Sequence, residues 1–225
     1  MLGFLPRTPI GRPAAAPHAL LFRPAPESEP LSLPLALAEV DTAKTFEVRA
    51  VSWKQKNRDE SYDKSDDLLL APATFKLEKG ASQVVRIQLN RKLDGDEHAY
   101  RIFIDEVPPA AEVRANSLKT VVSMAIPVFV APAAGPVAKG QAEMKASLAK
   151  NVINIEVRNT GKANLKLREW VLSSAKGDLL KVPSAAYVLS GNTMTADYPL
   201  AIQADGPLKL TLTTDRGSFS ADVKR

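Results

Sequence analysis

The chain has 225 residues with 30 basic and 25 acidic side chains, a net charge of +5, room for one large or two ordinary domains. The charges are interspersed rather than gathered into a basic tract, which argues against nucleic acid as a partner. Cysteine is absent, which excludes a disulfide framework, a thiolate nucleophile and a cysteine metal site, and no run of about 18 apolar residues is present to span a membrane.

Residues 1–44 differ from the rest. Eight of the 17 prolines fall in the first 34 residues, and Pro6, Pro9, Pro13 and Pro17 break up the apolar core a secretory signal would need. This segment is expected to be an irregular or disordered arm, with Leu31 to Val40 alternating enough for a short edge strand broken at Pro34. Deleting residues 1–28 is accordingly expected to leave the melting temperature nearly unchanged. From Thr45 the texture changes: Phe46, Val48 and Ala50 alternate with charged neighbours and Trp53 closes a strand. Lys54 to Asp67 carries mixed charge and reads as a solvated loop. Leu68 to Ala71 and Thr74 to Leu77 are short apolar pieces on either side of Pro72. Gln83 to Asn90 places Val85, Ile87 and Leu89 on one face and Arg86 on the other. Tyr100, Ile102 and Ile104 form another core face, with Arg101 opposite, until Pro108 and Pro109 end the strand.

The next strand, Leu118 to Val130, has the clearest pattern in the chain. Leu118, Thr120, Val122, Met124, Ile126, Val128 and Val130 share one face that carries no charge, while the other face is mostly small. Pro127 lacks a ladder donor and so confines this strand to a sheet edge or to the end of its pairing. An apolar edge is normally blunted; this one is not. It either meets the protein's own core or is held ready to complete another protein's open sheet. After a linker near Gly135, short strands recur at Met144 to Ala149, Val152 to Asn159, Leu165 to Leu172, Ala186 to Val188, Met194 to Tyr198 and Leu208 to Thr214, with a last piece near Phe219. Glycine and asparagine turns punctuate them, as expected of a second β-sandwich. No helix is predicted.

Catalytic and cofactor signatures are missing. His18 and His98, the two histidines, have no ligand-spaced neighbours, and no phosphate-cradling loop, dinucleotide fingerprint or nucleophile elbow occurs. Asp105 and Glu106 are adjacent, so on a strand they face opposite sides and cannot act as a carboxylate pair. No enzymatic activity, catalytic residue, metal site or cofactor is expected.

The order of segments carries a resemblance. Leu68 to Gly80, Gln83 to Ile87, Tyr100 to Pro108 and Ala125-Ile-Pro-Val-Phe-Val-Ala-Pro132 together resemble the first domain of periplasmic pilus chaperones, the Ile-Pro-Val-Phe-Val form being similar to the archaic branch of the chaperone-usher family. Asn159-Thr-Gly161, Leu165 to Leu167 and Tyr187 to Gly191 resemble the second domain. The resemblance implies an all-β fold of two immunoglobulin-like sandwiches, 45–132 and 133–225, the first lacking its initial strands because residues 1–44 do not match and read as an arm or a misassigned start. It implies a periplasmic chaperone that binds pilus subunits by donating a strand and delivers them to an outer-membrane usher, with no nucleic acid partner. Leu118, Thr120, Val122, Met124 and Ile126 would then enter the subunit, and Arg101 and Arg86 are the candidates to anchor its C-terminal carboxylate. The other reading of the same elements is an immunoglobulin-like structural or adhesive cell-surface protein whose apolar strand is simply core.

Overall fold

The structure is a computed structural model that describes residues 20–22, 31–36, 42–90, 92–109, 121–200 and 206–225. Seventeen strands and no helix are found among them. In the first domain, β1 (Leu20–Phe22), β2 (Leu31–Ala36), β3 (Lys44–Lys56), β4 (Asp59–Lys64), β5 (Leu68–Ala71), β6 (Thr74–Leu77), β7 (Ser82–Leu89), β8 (His98–Val107) and β9 (Ser123–Val130) form two facing sheets. One runs β1-β9-β8-β3-β4, with β6 also paired to β3, and the other runs β2-β7-β5. Alternation supplies the core: Phe46 and Val48 from β3, Val85 and Ile87 from β7, and Ile102 and Ile104 from β8 meet in one buried cluster. The fully buried Tyr100 keeps its hydroxyl satisfied by donating to Asp67 Oδ2 at 2.8 Å.

Two strands precede Lys44, which corrects the expectation that the first sandwich lacks its initial strands. β2 occupies the alternating segment around Pro34 and pairs antiparallel with β7, at a sheet edge where a proline is tolerated. β1 pairs parallel with the end of β9, Leu20 opposite Val128 and Phe22 opposite Val130. A deletion of residues 1–28 would remove this pairing and therefore touches the sandwich. The remainder of the expected arm lies outside the described residues. The charged segment after Trp53 is also corrected, from a loop to a hairpin: β3 continues to Lys56, Asn57 takes a left-handed conformation (φ 56°) in the turn, and β4 returns on the exposed surface. Its mixed charge suits an edge strand facing water, as Lys54 and Asp63 show by pairing at 2.7 Å.

The second domain contains β10 (Ala142–Ala149), β11 (Val152–Asn159), β12 (Leu165–Ser174), β13 (Gly177–Pro183), β14 (Tyr187–Val188), β15 (Thr193–Pro199), β16 (Leu208–Thr214) and β17 (Gly217–Lys224). β13, not foreseen from the sequence, completes a hairpin with β12. The strands are joined as β13-β12-β16-β17-β10-β11-β15, and the β10–β17 link spans only Ala146/Val223 and Ser147/Lys224. The two halves on either side of this link contribute to one core around Trp170, Leu212, Ile155 and Met194, as layers of a sandwich do. Asn159, fully buried, fixes a turn by donating to the Ala163 and Val188 carbonyls (2.8 and 2.9 Å) and accepting the Gly161 N–H at 3.0 Å.

Candidate functional site

The site is built from β9 and the cleft between the domains. β9 pairs with β8 without a register shift from Asp105/Ser123 to His98/Val130. Its other edge is covered by β1 only at 128–130, so from Ser123 to Pro127 that edge has no partner strand among the described residues. In an antiparallel ladder the N–H and C=O of one residue point to the same side and alternate along the strand. The Val122 carbonyl accepts the Glu106 N–H at 2.8 Å, so Val122, Met124 and Ile126 direct their backbone groups to β8, and Ser123, Ala125 and Pro127 direct theirs outward. Pro127 therefore removes no bond to β8. The open edge offers the N–H groups of Ser123 and Ala125 and the carbonyls of all three.

The apolar face divides along its length. Val122 is 37 % exposed beside the 48 % exposed Val121, Met124 packs partly against the core, and Ile126, Val128 and Val130 are core residues, Ile126 only 1 % exposed. Leu118 and Thr120 lie outside the described residues. The sequence shows the shared parity of these side chains but not the point at which the face passes from free surface into the protein's own core.

The cleft begins where strand parity is broken. Trp53 and Phe129 point away from the first core, yet both are buried because Tyr187 and Leu189 of the second domain cover them. The Trp53 and Tyr187 rings meet edge to face at 5.7 Å between centroids, and Phe129 and Tyr187 are 5.4 Å apart. Gln55 bridges the domains, donating to the Tyr187 carbonyl at 2.9 Å and accepting the Leu189 N–H at 3.0 Å. Beside this cluster opens a cavity of about 360 Å³ lined by Gln55, Arg58 and Arg101 from one domain and Ala186, Tyr187 and Tyr198 from the other. The Arg101 guanidinium lies 3.8 Å over the Trp53 ring and 3.5 Å from Glu60 Oε1, and its Nε has no hydrogen-bond partner. The aromatic face holds the guanidinium plane, its Nε is buried, and its Nη2 is turned to the Glu60 carboxylate on the same cavity.

Arg86 is not brought to this place. It is exposed on β7, pointing outward from the other sheet, because Val85 and Ile87 on either side fill the core. Arg101 and Arg86 therefore occupy opposite outer faces of the sandwich. The sequence reading missed Trp53, Gln55, Arg58 and Tyr187 as cleft residues. Trp53 carried a signal in its odd parity against Phe46, Val48 and Ala50, whereas Arg58 was submerged in the charged hairpin.

A second set of contacts joins the domains near Glu97. Its Oε1 accepts both the backbone and side-chain N–H of Asn164 at 2.7 Å, its own N–H donates to the Lys162 carbonyl at 2.9 Å, and Arg216 lies 3.7 Å from Oε2. Burial pushes the Glu97 carboxyl above its ordinary range, with the Asn164 hydrogen bonds and the Arg216 charge opposing that shift only in part. Among the described residues no group of three or more His, Asp or Glu side chains could hold a metal ion, and no helix is long and apolar enough to cross a membrane.

These features define a class: two immunoglobulin-like domains, a strand edge without a partner among the described residues, and an interdomain cleft beside it that carries Arg58, Glu60 and Arg101. Residues 38–136 match the family described as pili and flagellar-assembly chaperone, PapD N-terminal domain. No curated protein matches the sequence. Among solved structures, the chain is similar to one in the CsuC–CsuE chaperone–tip adhesion subunit pre-assembly complex from the archaic chaperone-usher Csu pili of Acinetobacter baumannii (16 % identity, 93 % of this chain and 95 % of that chain, TM-score 0.61). It is similar to the E. coli chaperone DraB (19 %, 93 % and 95 %, 0.57) and to a chain in the complex of Salmonella enterica SafA pilin with the SafB chaperone (15 %, 92 % and 93 %, 0.57). Residues 38–136 thus match the N-terminal domain of pilus chaperones, and the chain as a whole shares the two-domain fold of the solved ones.

Proposed function

We propose that the protein is a periplasmic chaperone of the archaic branch that captures pilus subunits by lending the first part of β9 to their incomplete sheet and releases them to an outer-membrane usher. The observation that carries this reading is the edge from Ser123 to Pro127, which has no partner strand among the described residues, with the exposed Val122 and the half-buried Met124 beside it. Main-chain groups of the edge give affinity to strand addition, and alternate side chains give specificity. Leu118 and Thr120 would extend the same inserted face, while Ile126 marks its inner limit. Arg101, steadied by Trp53 and with Arg58 on the same cavity, is the anchor for the subunit's terminal carboxylate; Arg86, on the opposite face, is not. Complexes of CsuC with CsuE and of SafB with SafA support the subunit as partner.

Co-expression with a subunit from the same operon tests the reading. Val122→Asp should leave the free protein folded and monomeric, because Val122 lies outside the core, yet abolish recovery of soluble complex, because the carboxylate would enter an apolar groove unpaired. Normal capture by this variant would overturn the strand-donation reading.

A further inference from the structure

Asp105 and Glu106 face opposite sides of β8, yet both reach the beginning of β9. On the core side, the Glu106 carboxylate, 5 % exposed, accepts Lys44 Nζ at 2.8 Å and the Val122 N–H at 3.1 Å, both on Oε2, while its backbone N–H donates to the Val122 carbonyl. On the outer side, Asp105 Oδ1 accepts the Ser123 hydroxyl, and Oδ2 accepts Arg49 Nε at 3.2 Å. Glu106 thus holds Val122, immediately before β9, Asp105 holds Ser123, its first residue, and each carboxylate is backed by one cation of β3. A continuing ladder would send the Val122 N–H to the Glu106 carbonyl; here the side chain takes it, and the β8–β9 ladder ends at Asp105/Ser123.

We propose that Asp105 and Glu106 form a two-sided clamp that fixes the register and exit point of the donor strand, and are positioning residues for subunit capture; this rests on the strand-donation reading above. Strand ends fray, and a slip of one residue would exchange the Val122–Met124 face for the Ser123–Ala125 face. Apolar contacts tolerate such a slip poorly but do not forbid it, since a neighbouring valine, Val121, is available to take the place of Val122. A buried carboxylate with two donors in fixed positions does forbid it, and setting register is the best-attested use of such costly buried polar groups. The clamp holds the strand by the backbone at Val122 and by the side chain at Ser123, leaving the Val122 side chain free to enter a partner.

The test combines residue-resolved hydrogen exchange of the free full-length protein with subunit capture by co-expression. In Glu106→Ala the Val122 amide should exchange at least tenfold faster relative to the Ile102 and Ile104 amides than in the parent, and capture should fall at least tenfold. Glu106→Gln, which keeps an acceptor for the Val122 N–H, should recover most of that capture, a rescue that bulk destabilisation would not produce. Ser123→Ala, at an exposed position, should lower capture about threefold with no change in melting temperature, and it decides the matter if Glu106→Ala does not fold. Capture within twofold of the parent in these variants, while Val122→Asp captures nothing, would overturn the clamp and leave strand donation standing. Normal capture by Val122→Asp would instead overturn strand donation and the clamp with it.

Discussion

Arg101 and Arg86 have the same local description in the sequence, an arginine on a strand opposite an apolar set, and the fold gives them different surroundings. Arg101 stacks on Trp53 with a 15 % exposed side chain and lines the interdomain cavity, whereas Arg86 is an exposed surface residue of the other sheet. Arg101→Ala should weaken capture of a subunit with its native C-terminus by about 1.5 to 3 kcal/mol, the range for a hydrogen bond to a charged group, with the free protein's melting temperature little changed. Arg86→Ala, measured by the same pull-down titration, should bind as the parent does. Equal losses from both would remove Arg101 from a special role. Alternation fixes which face of a strand a residue occupies, but it cannot say which sheet that strand joins, and this is why the two candidates could not be separated before the fold was known.

At the scale of the element, β9 together with Val122 just before it runs through two environments. Val122 and Ile126 have the same parity, but the first is 37 % exposed and the second 1 %. A charge should therefore act oppositely at the two positions: Ile126→Asp buries an unpaired carboxylate in the core and should unfold the first domain, seen as loss of its circular dichroism transition. A folded Ile126→Asp protein would contradict the division of the strand. The long, regularly alternating strands β3, β7, β8, β11 and β16 were legible because each carries its pattern over many residues. β1 was not, since three residues hold no period and its place comes from the parallel pairing with β9. β4 was hidden because all six of its residues are exposed, so neither face alternates in hydrophobicity. β13 was passed over for a related reason: its faces are only partly buried or exposed throughout. The carboxylates that hold the start of β9 were visible as residues, but their convergence depends on the β3–β8 and β8–β9 registers together.

At the scale of the whole molecule, the domains meet at the Trp53–Tyr187 cluster and again at Glu97. The raised pKa of Glu97 means that the native state keeps its proton to a higher pH than the unfolded chain does. Its contribution to stability is therefore fully present below the ordinary carboxylate range and is lost as pH rises through the raised value. Glu97→Gln should flatten this component, so its melting temperature should fall less than the parent's between mildly acidic and neutral pH, followed by circular dichroism at constant ionic strength. A parallel pH profile in parent and variant would show that Glu97 does not titrate across that interval.

The position of β1 has a consequence for the partner. It occupies the edge of β9 from Val128 onward, so a guest strand that pairs with Ser123 to Pro127 must lie end to end with it along the same edge. At about 3.4 Å per residue the stretch without a partner among the described residues is roughly 17 Å long, and β1 stands at its inner end as a buffer stop. In the strand-donation reading a subunit could slide along the edge only as far as β1, so the short first strand would act as a ruler, setting how deep in the cleft the subunit's chain comes to rest.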